Sequence, residues 1–170
     1  MKFLYFKKRD FGVISEALYI AEDLTANFYK FSTNEWKKRH IYDLKTLIEL
    51  KRYQISNNAF ALICRDTIKD VNFIPQKIKT AYLICLQDHV ILKTLLQDKN
   101  ISLLPFLVYI LTHELVHIVR FCNYLARFNA SQEEKEKEEE IVNIITFDIL
   151  NSVMIPKLDY ILKLFCSRYS

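Results

Sequence analysis

The run of residues 101–119 limits the possible folds more than any other feature of this sequence. It is almost continuously apolar, so a helix built from it would be apolar nearly all round and would have to be buried. Ser102 can cap the start of this helix, and Pro105 lies near its first turn, where a missing N–H does no harm. The polar residues of a HELVH segment interrupt the run, which falls short of the ~20 residues of a membrane span. We therefore predict a central helix over residues 100–127 and no membrane partner.

The rest of the chain is expected to be mostly helical. Only one glycine and three prolines occur among its 170 residues, and these residue types usually separate short strands. Apolar residues recur at three- and four-residue spacing on both sides of the central run. Ser131 and Glu134 form a capping box that starts one of these helices. Helices are predicted over residues 10–29, 34–52, 131–153 and 156–166.

Two segments before the central run have the composition of strands. Residues 59–64 predict a buried strand, which follows a polar turn. Residues 80–86 and 89–92 flank Gln87 and Asp88 and are interpreted as a hairpin, although a helix that begins at Asp88 is the alternative. The prediction is a single α+β domain of residues 1–170. It divides into N-terminal helices (1–54), a small sheet (55–96), the central helix (100–127), a second long helix (131–153) and a C-terminal helix (156–166).

Charge and cysteine content exclude several classes of function. The formal net charge is +4 and the basic residues are scattered, whereas a nucleic-acid-binding protein usually shows a basic stripe. The basic clusters at residues 7–9 and 36–40, the latter including His40, are expected on solvated helix faces. The four cysteines are far apart in the sequence and suit reduced thiols in a cytoplasmic protein. Residues 1–10 lack the apolar core of a signal peptide.

The HELVH segment is the motif that carries chemistry. In a helix, His113 and His117 lie one turn apart on the same face, where both imidazoles can reach one zinc ion. Glu114 is offset by one residue, so it lies beside the metal and can take a proton from an attacking water. A buried histidine is more often a hydrogen-bonded core residue. Three ionisable groups on an apolar helix, however, are costly to bury without a metal or another partner.

A catalytic zinc site needs a third protein ligand. No third histidine follows in the HExxHxxGxxH register. The next predicted helix instead carries an acidic run that ends in three consecutive glutamates, residues 138–140. Most acidic side chains of this run are expected to be solvated. A helix that packs against the HELVH helix can nevertheless deliver one carboxylate to the metal.

The sequence resembles the gluzincin metallopeptidases, in which HExxH is followed on a later helix by ExxxD or ExxxN. This resemblance implies a zincin-like fold, with Glu139 as the third zinc ligand and Asn143 as the residue that orients a ligand histidine. Glu140 is the alternative ligand. Within the gluzincins, residues 100–156 are most similar to the ImmA/IrrE-like group, although Val116 stands where many members have glycine.

The resemblance implies a zinc-dependent metallopeptidase that cleaves a peptide or protein substrate. The cleavage is expected to be limited and regulatory. The alternative is a zincin-fold binding or regulatory protein that holds zinc without protease activity. A gluzincin also needs a donor to the oxyanion of the transition state. The family further implies that the strand before the HExxH helix, here within residues 80–92, is the sheet edge along which a substrate pairs. The candidate oxyanion donors are Tyr124, Arg120, Tyr160 and His89.

Overall fold

A computed structural model of the protein describes residues 3–68 and 79–166. Within these residues it contains six α-helices and one mixed three-stranded sheet, which confirms an α+β fold that is mostly helical. The elements are α1 (Lys8–Phe28), α2 (Thr33–Arg39), β1 (Tyr42–Lys45), β2 (Ala61–Ile68), β3 (Lys79–Leu86), α3 (Asp88–Gln97), α4 (Leu103–Cys122), α5 (Gln132–Leu150) and α6 (Leu158–Phe165). Two short 3-10 turns, Leu47–Glu49 and Arg52–Gln54, follow β1.

Helix α4 forms the centre of the core. Most of its side chains are buried, including Phe106, Leu111 and Leu115, and it packs against α1, α5, α6 and β2. By length and composition alone α4 could cross a membrane, but 78% of its most apolar window is buried inside the fold. Its apolar character is therefore explained by packing against the other elements.

Among the described residues the sheet has the order β1-β3-β2, so β3 is central and β1 and β2 are the edge strands. Strand β3 runs parallel to β1 and antiparallel to β2. One face of β3 packs on α4, where the ring of Tyr82 stacks on Phe121 with centroids 5.8 Å apart. The sheet and α4 thereby enclose one continuous apolar core.

The predicted hairpin at residues 80–92 is wrong, and the alternative helix is correct. Strand β3 ends at Leu86 and α3 begins at Asp88. The Asp88 carboxylate is buried and accepts hydrogen bonds from the backbone N–H groups of Phe6 (3.0 Å) and Leu47 (2.9 Å). These long-range contacts hold Asp88 at the start of a helix, where a negative charge is also favourable.

The predicted helix over residues 34–52 is also wrong in its second half. Helix α2 ends at Arg39, and the chain then forms β1, in which Tyr42 pairs with Tyr82. The sheet therefore draws one strand from the segment expected to hold only helices. The ring of His40 is buried between Trp36 and Phe31 rather than solvated. The remaining predicted helices differ from α1, α4, α5 and α6 mainly at their ends.

Candidate metal centre

The two histidines of HELVH face the same side of α4. The rings of His113 and His117 have centroids 4.9 Å apart and meet edge to face. The ring of His117 also stacks on Phe121, at 5.8 Å and 19°. Spacing of four residues in a regular helix produces this alignment, and the apolar packing around α4 fixes the direction of both rings.

Glu139 of α5 reaches both histidines. Its carboxylate oxygens lie 3.0 Å from His117 Nε2 and 3.3 Å from His113 Nε2. One ligand atom from each of the three residues lies within 4.8 Å of the others, and no second group of this kind is found within residues 3–68 and 79–166. The capping box of Ser131 and Glu134 starts α5 as predicted, and this sets the helix register that places Glu139.

The donor set fits a zinc ion. Ligand atoms held 2.0–2.2 Å from a tetrahedral zinc lie about 3.3–3.6 Å apart. Each imidazole is at a similar distance from a different oxygen of Glu139, 3.3 Å for His113 and 3.0 Å for His117. Two imidazole nitrogens and one carboxylate oxygen are also a set that zinc accepts in catalytic sites. The same distances also suit two hydrogen bonds from the imidazoles to the carboxylate.

The charges in this cluster reinforce one another. Burial disfavours the ionised carboxylate of Glu139, but hydrogen bonds from His113 and His117 outweigh burial and lower its pKa. Burial likewise lowers the pKa of His117, yet the nearby carboxylates of Glu139 and Glu114 hold it above its ordinary value. The cluster therefore favours an ionised Glu139, which is the form that binds a cation, whereas His117 has to lose its proton when a metal binds.

Glu114 lies next to this group without belonging to it. Its side chain lines the same cleft as the two histidines, and burial raises its pKa, although the histidines oppose the shift. A carboxylate with a raised pKa is a better proton acceptor than an ordinary exposed one. This is the position that a general base beside a metal would need.

The structure gives the other predicted residues different surroundings. Asn143 is half-buried one turn after Glu139, but among the described residues the Nδ1 atoms of His113 and His117 have no hydrogen-bond partner. The structure thus shows no contact through which Asn143 would orient either ring. Glu140 is exposed and lies outside the ligand group.

A cleft of about 840 Å³ opens above the cluster. Its walls are the start of β2, the exposed side of α4, the loop after α4 and the first half of α5. The apolar part of its lining includes Phe60, Ile63, Tyr109 and Phe128. The strand beside the cleft is the edge strand β2, and not the segment 80–92 that the family resemblance implied.

Two of the four candidate oxyanion donors line this cleft. Tyr124 is almost fully exposed at its mouth, and its φ of 58° is in the left-handed region. Arg120 also lines it, but its guanidinium is paired with Glu138. Tyr160 donates a hydrogen bond to Asp98, and His89 contacts Asn57; neither lines the cleft.

The pair of Arg120 and Glu138 is the feature of this site that the sequence did not reveal. Both residues are close in the sequence to predicted ligands, since Arg120 is three residues after His117 and Glu138 directly precedes Glu139. The acidic run was expected to be mostly solvated. No simple pattern indicated which of its glutamates meets a cation.

Comparison with known proteins gives no match. No protein-family model, no curated protein and no solved structure is similar to this chain. The functional conclusion therefore depends on the side chains of the site alone.

Proposed function

We propose that this protein is a zinc-dependent metallopeptidase of the gluzincin type with a zincin-like fold. One observation carries the proposal: His113, His117 and Glu139 bring their ligand atoms within 4.8 Å of one another, and the two histidines and Glu114 line the same cleft. A structural histidine pair would not need an adjacent carboxylate that faces the same open space. Metal-assisted hydrolysis of an amide bond uses this combination.

His113, His117 and Glu139 would hold the zinc ion. When bound, zinc supplies Lewis-acid chemistry, which polarises a carbonyl group and makes water more acidic. The side chain of Glu139 is 55% exposed, so water and substrate can reach the cluster from this side. Three protein ligands would leave the fourth position of a tetrahedral zinc for water or substrate, as in catalytic zinc sites.

Glu114 would act as the general base and then as the general acid. Its carboxylate takes a proton from the attacking water and passes that proton to the departing amine. The raised pKa of Glu114 makes it a stronger base in the first step, and it lies closer to the neutral pH at which the same group must release the proton to the amine. Tyr124 is the remaining candidate donor to the oxyanion, since it lines the cleft.

The substrate would be an extended peptide segment that lies along β2. An edge strand has unpaired backbone groups, and a peptide that adds as a further strand satisfies them. The apolar lining of the cleft, from Phe60 to Phe128, suits large apolar side chains of such a peptide. Among the described residues all four cysteines are free thiols, which supports a cytoplasmic location and cleavage of a protein partner there.

The test compares the wild type with Glu114→Gln on a library of quenched fluorescent peptides, together with zinc analysis of both proteins. We expect one zinc per chain in both and a loss of cleavage of at least about 100-fold in the variant. The matched control is Glu140→Gln, which makes the same change at an exposed glutamate outside the cleft. It should retain full activity.

Three outcomes would contradict the proposal in different ways. Equal cleavage by the wild type and Glu114→Gln would exclude Glu114 as the base. A wild type that holds zinc but cleaves no peptide would support the alternative, a zinc-binding regulatory protein. Fewer than about 0.2 zinc per chain after zinc-replete expression would exclude the metal site itself.

A further inference from the structure

Arg120 and Glu138 form a second contact between α4 and α5, beside the metal cluster. The Nε and terminal N–H groups of Arg120 donate to the two carboxylate oxygens of Glu138, at 2.5 Å and 3.0 Å. Both side chains are almost buried, at 12% and 13% exposure. A two-bonded guanidinium–carboxylate pair has a fixed geometry, so it restricts both the spacing and the rotation of the helices that carry it.

Arg120 also connects the last turn of α4 to the loop that follows. Its guanidinium donates to the carbonyl of Leu125 at 3.4 Å, and its own carbonyl accepts the backbone N–H groups of Leu125 and Ala126. The same residue thus holds the end of α4, the loop and α5 together. This arrangement involves no residue of the metal cluster directly.

The first half of α5 has few other anchors. Every side chain from residue 131 to residue 141 is exposed except Glu138, and the first buried side chain of the helix is Val142. Glu139 lies within this exposed stretch. Apolar packing therefore positions α5 only beyond the metal cluster, and the earlier stretch contacts α4 through Glu138 and through Glu139 itself.

From this arrangement we propose that the Arg120–Glu138 pair positions Glu139 as a metal ligand. The inference rests on the proposed zinc site. Glu138 and Glu139 are adjacent, so a fixed Glu138 limits the places that the Glu139 carboxylate can reach. Without the pair, Glu139 would lie on a solvated stretch of helix. The entropy cost of ordering its side chain would then oppose metal binding. An ordinary stabilising ion pair would instead affect folding without a specific effect on the metal.

The experiment measures the dissociation constant for zinc by competition with a chromophoric chelator. Glu138→Gln keeps the size of the side chain but removes the charge, and we expect a zinc affinity about 10- to 100-fold weaker. Glu133→Gln is the matched control, because Glu133 lies earlier on α5, takes no part in the capping contacts and pairs with an exposed Lys137. Exposed pairs contribute little, so the control should shift the constant by less than about twofold.

A second measurement tests whether the pair acts through Glu139. In a Glu139→Ala background, Glu138→Gln should change the remaining zinc affinity by less than about twofold, because the ligand that it positions is gone. If the two changes weaken binding independently, the positioning role is excluded. Arg120→Lys provides a further check, since it keeps the charge but loses the two-bonded geometry and should also weaken zinc binding.

If Glu138→Gln does not fold, the double variant Arg120→Met, Glu138→Met provides the test. It removes both charges, so no unpaired buried charge remains, and such replacements usually keep the fold. We expect it to fold and to bind zinc at least tenfold more weakly. Zinc affinity equal to that of the wild type would overturn the positioning role and leave the proposed function intact. A wild type that binds no zinc would overturn the proposed function and, with it, the positioning role.

Discussion

The side-chain amide of Asn123 donates to His40 Nε2 at 3.3 Å and to the carbonyl of Val119 at 2.7 Å. The opposite nitrogen of the ring, Nδ1, lies 3.2 Å from the carbonyl of Trp36. Because a carbonyl only accepts, Nδ1 carries the proton and Nε2 accepts. His40 is thus held neutral, and it joins the end of α2 to the end of α4.

The first prediction concerns stability against pH. Burial lowers the pKa of His40 below its ordinary value, so between that pKa and about 6.5 the unfolded chain binds a proton that the folded chain does not. The free energy of unfolding should therefore rise with pH across this window and fall as pH decreases through it. Urea unfolding of chelator-treated protein at pH 7 and pH 5 measures the change. His40→Gln should show a smaller acid loss, and an equal loss would contradict the assignment.

The second prediction concerns the metal as a source of stability. Zinc that binds only the folded chain at 1,000 times its dissociation constant should add about 4 kcal/mol to the free energy of unfolding. Thermal unfolding with zinc and with a chelator measures the difference. The difference should vanish in His113→Ala and in His117→Ala. His89→Ala is the control, since His89 lies outside the cluster, and loss of the zinc effect there would contradict the site.

The third prediction separates two adjacent carboxylates. Glu139→Ala should lose most bound zinc, because its oxygens lie 3.0 Å and 3.3 Å from the histidine nitrogens. Glu140→Ala should keep full occupancy, since Glu140 is exposed and outside the ligand group. Metal analysis after gel filtration gives the zinc content of each variant. The reverse pattern would show that Glu140 is the ligand.

The fourth prediction tests the central position of α4. Leu111→Ala removes a side chain that is 0% exposed and should lower the free energy of unfolding by about 2–5 kcal/mol. Leu96→Ala makes the same change on α3 at a side chain that is 71% exposed, so its effect should stay within about 0.5 kcal/mol. Chemical denaturation of both variants measures the contrast. Similar losses would contradict the described packing.

The sequence predicted α4 well because local and long-range forces agree there. A run that is apolar all round can be stable only when buried, and the fold buries it. The same holds for the start of α5, where Ser131 and Glu134 form a local capping box that requires no distant partner. The motif that predicted the roles of His113, Glu114 and His117 is likewise local, because it spans only five residues.

The failures occur where a distant residue decides the structure. Tyr42 belongs to a strand because β3 provides a parallel partner at Tyr82, whereas its own neighbours have helical spacing. Asp88 starts a helix because Phe6 and Leu47 donate to its carboxylate. Burial of Glu138, but not of the glutamates around it, likewise depends on Arg120 of another helix. Periodicity within a segment contains none of this information.

The exposed first half of α5 also bears on how long an ion would remain bound. Before Val142, the helix is held by its backbone hydrogen bonds, its cap, the contact of Glu138 with Arg120 and the contacts of Glu139 with the two histidines, so we expect opening of this half to cost less than unfolding of the domain. Each opening withdraws Glu139 from the two histidines, which stay on the buried helix α4. The residence time of the ion would then follow the opening rate of half a helix, and amide exchange before Val142 would report the same event.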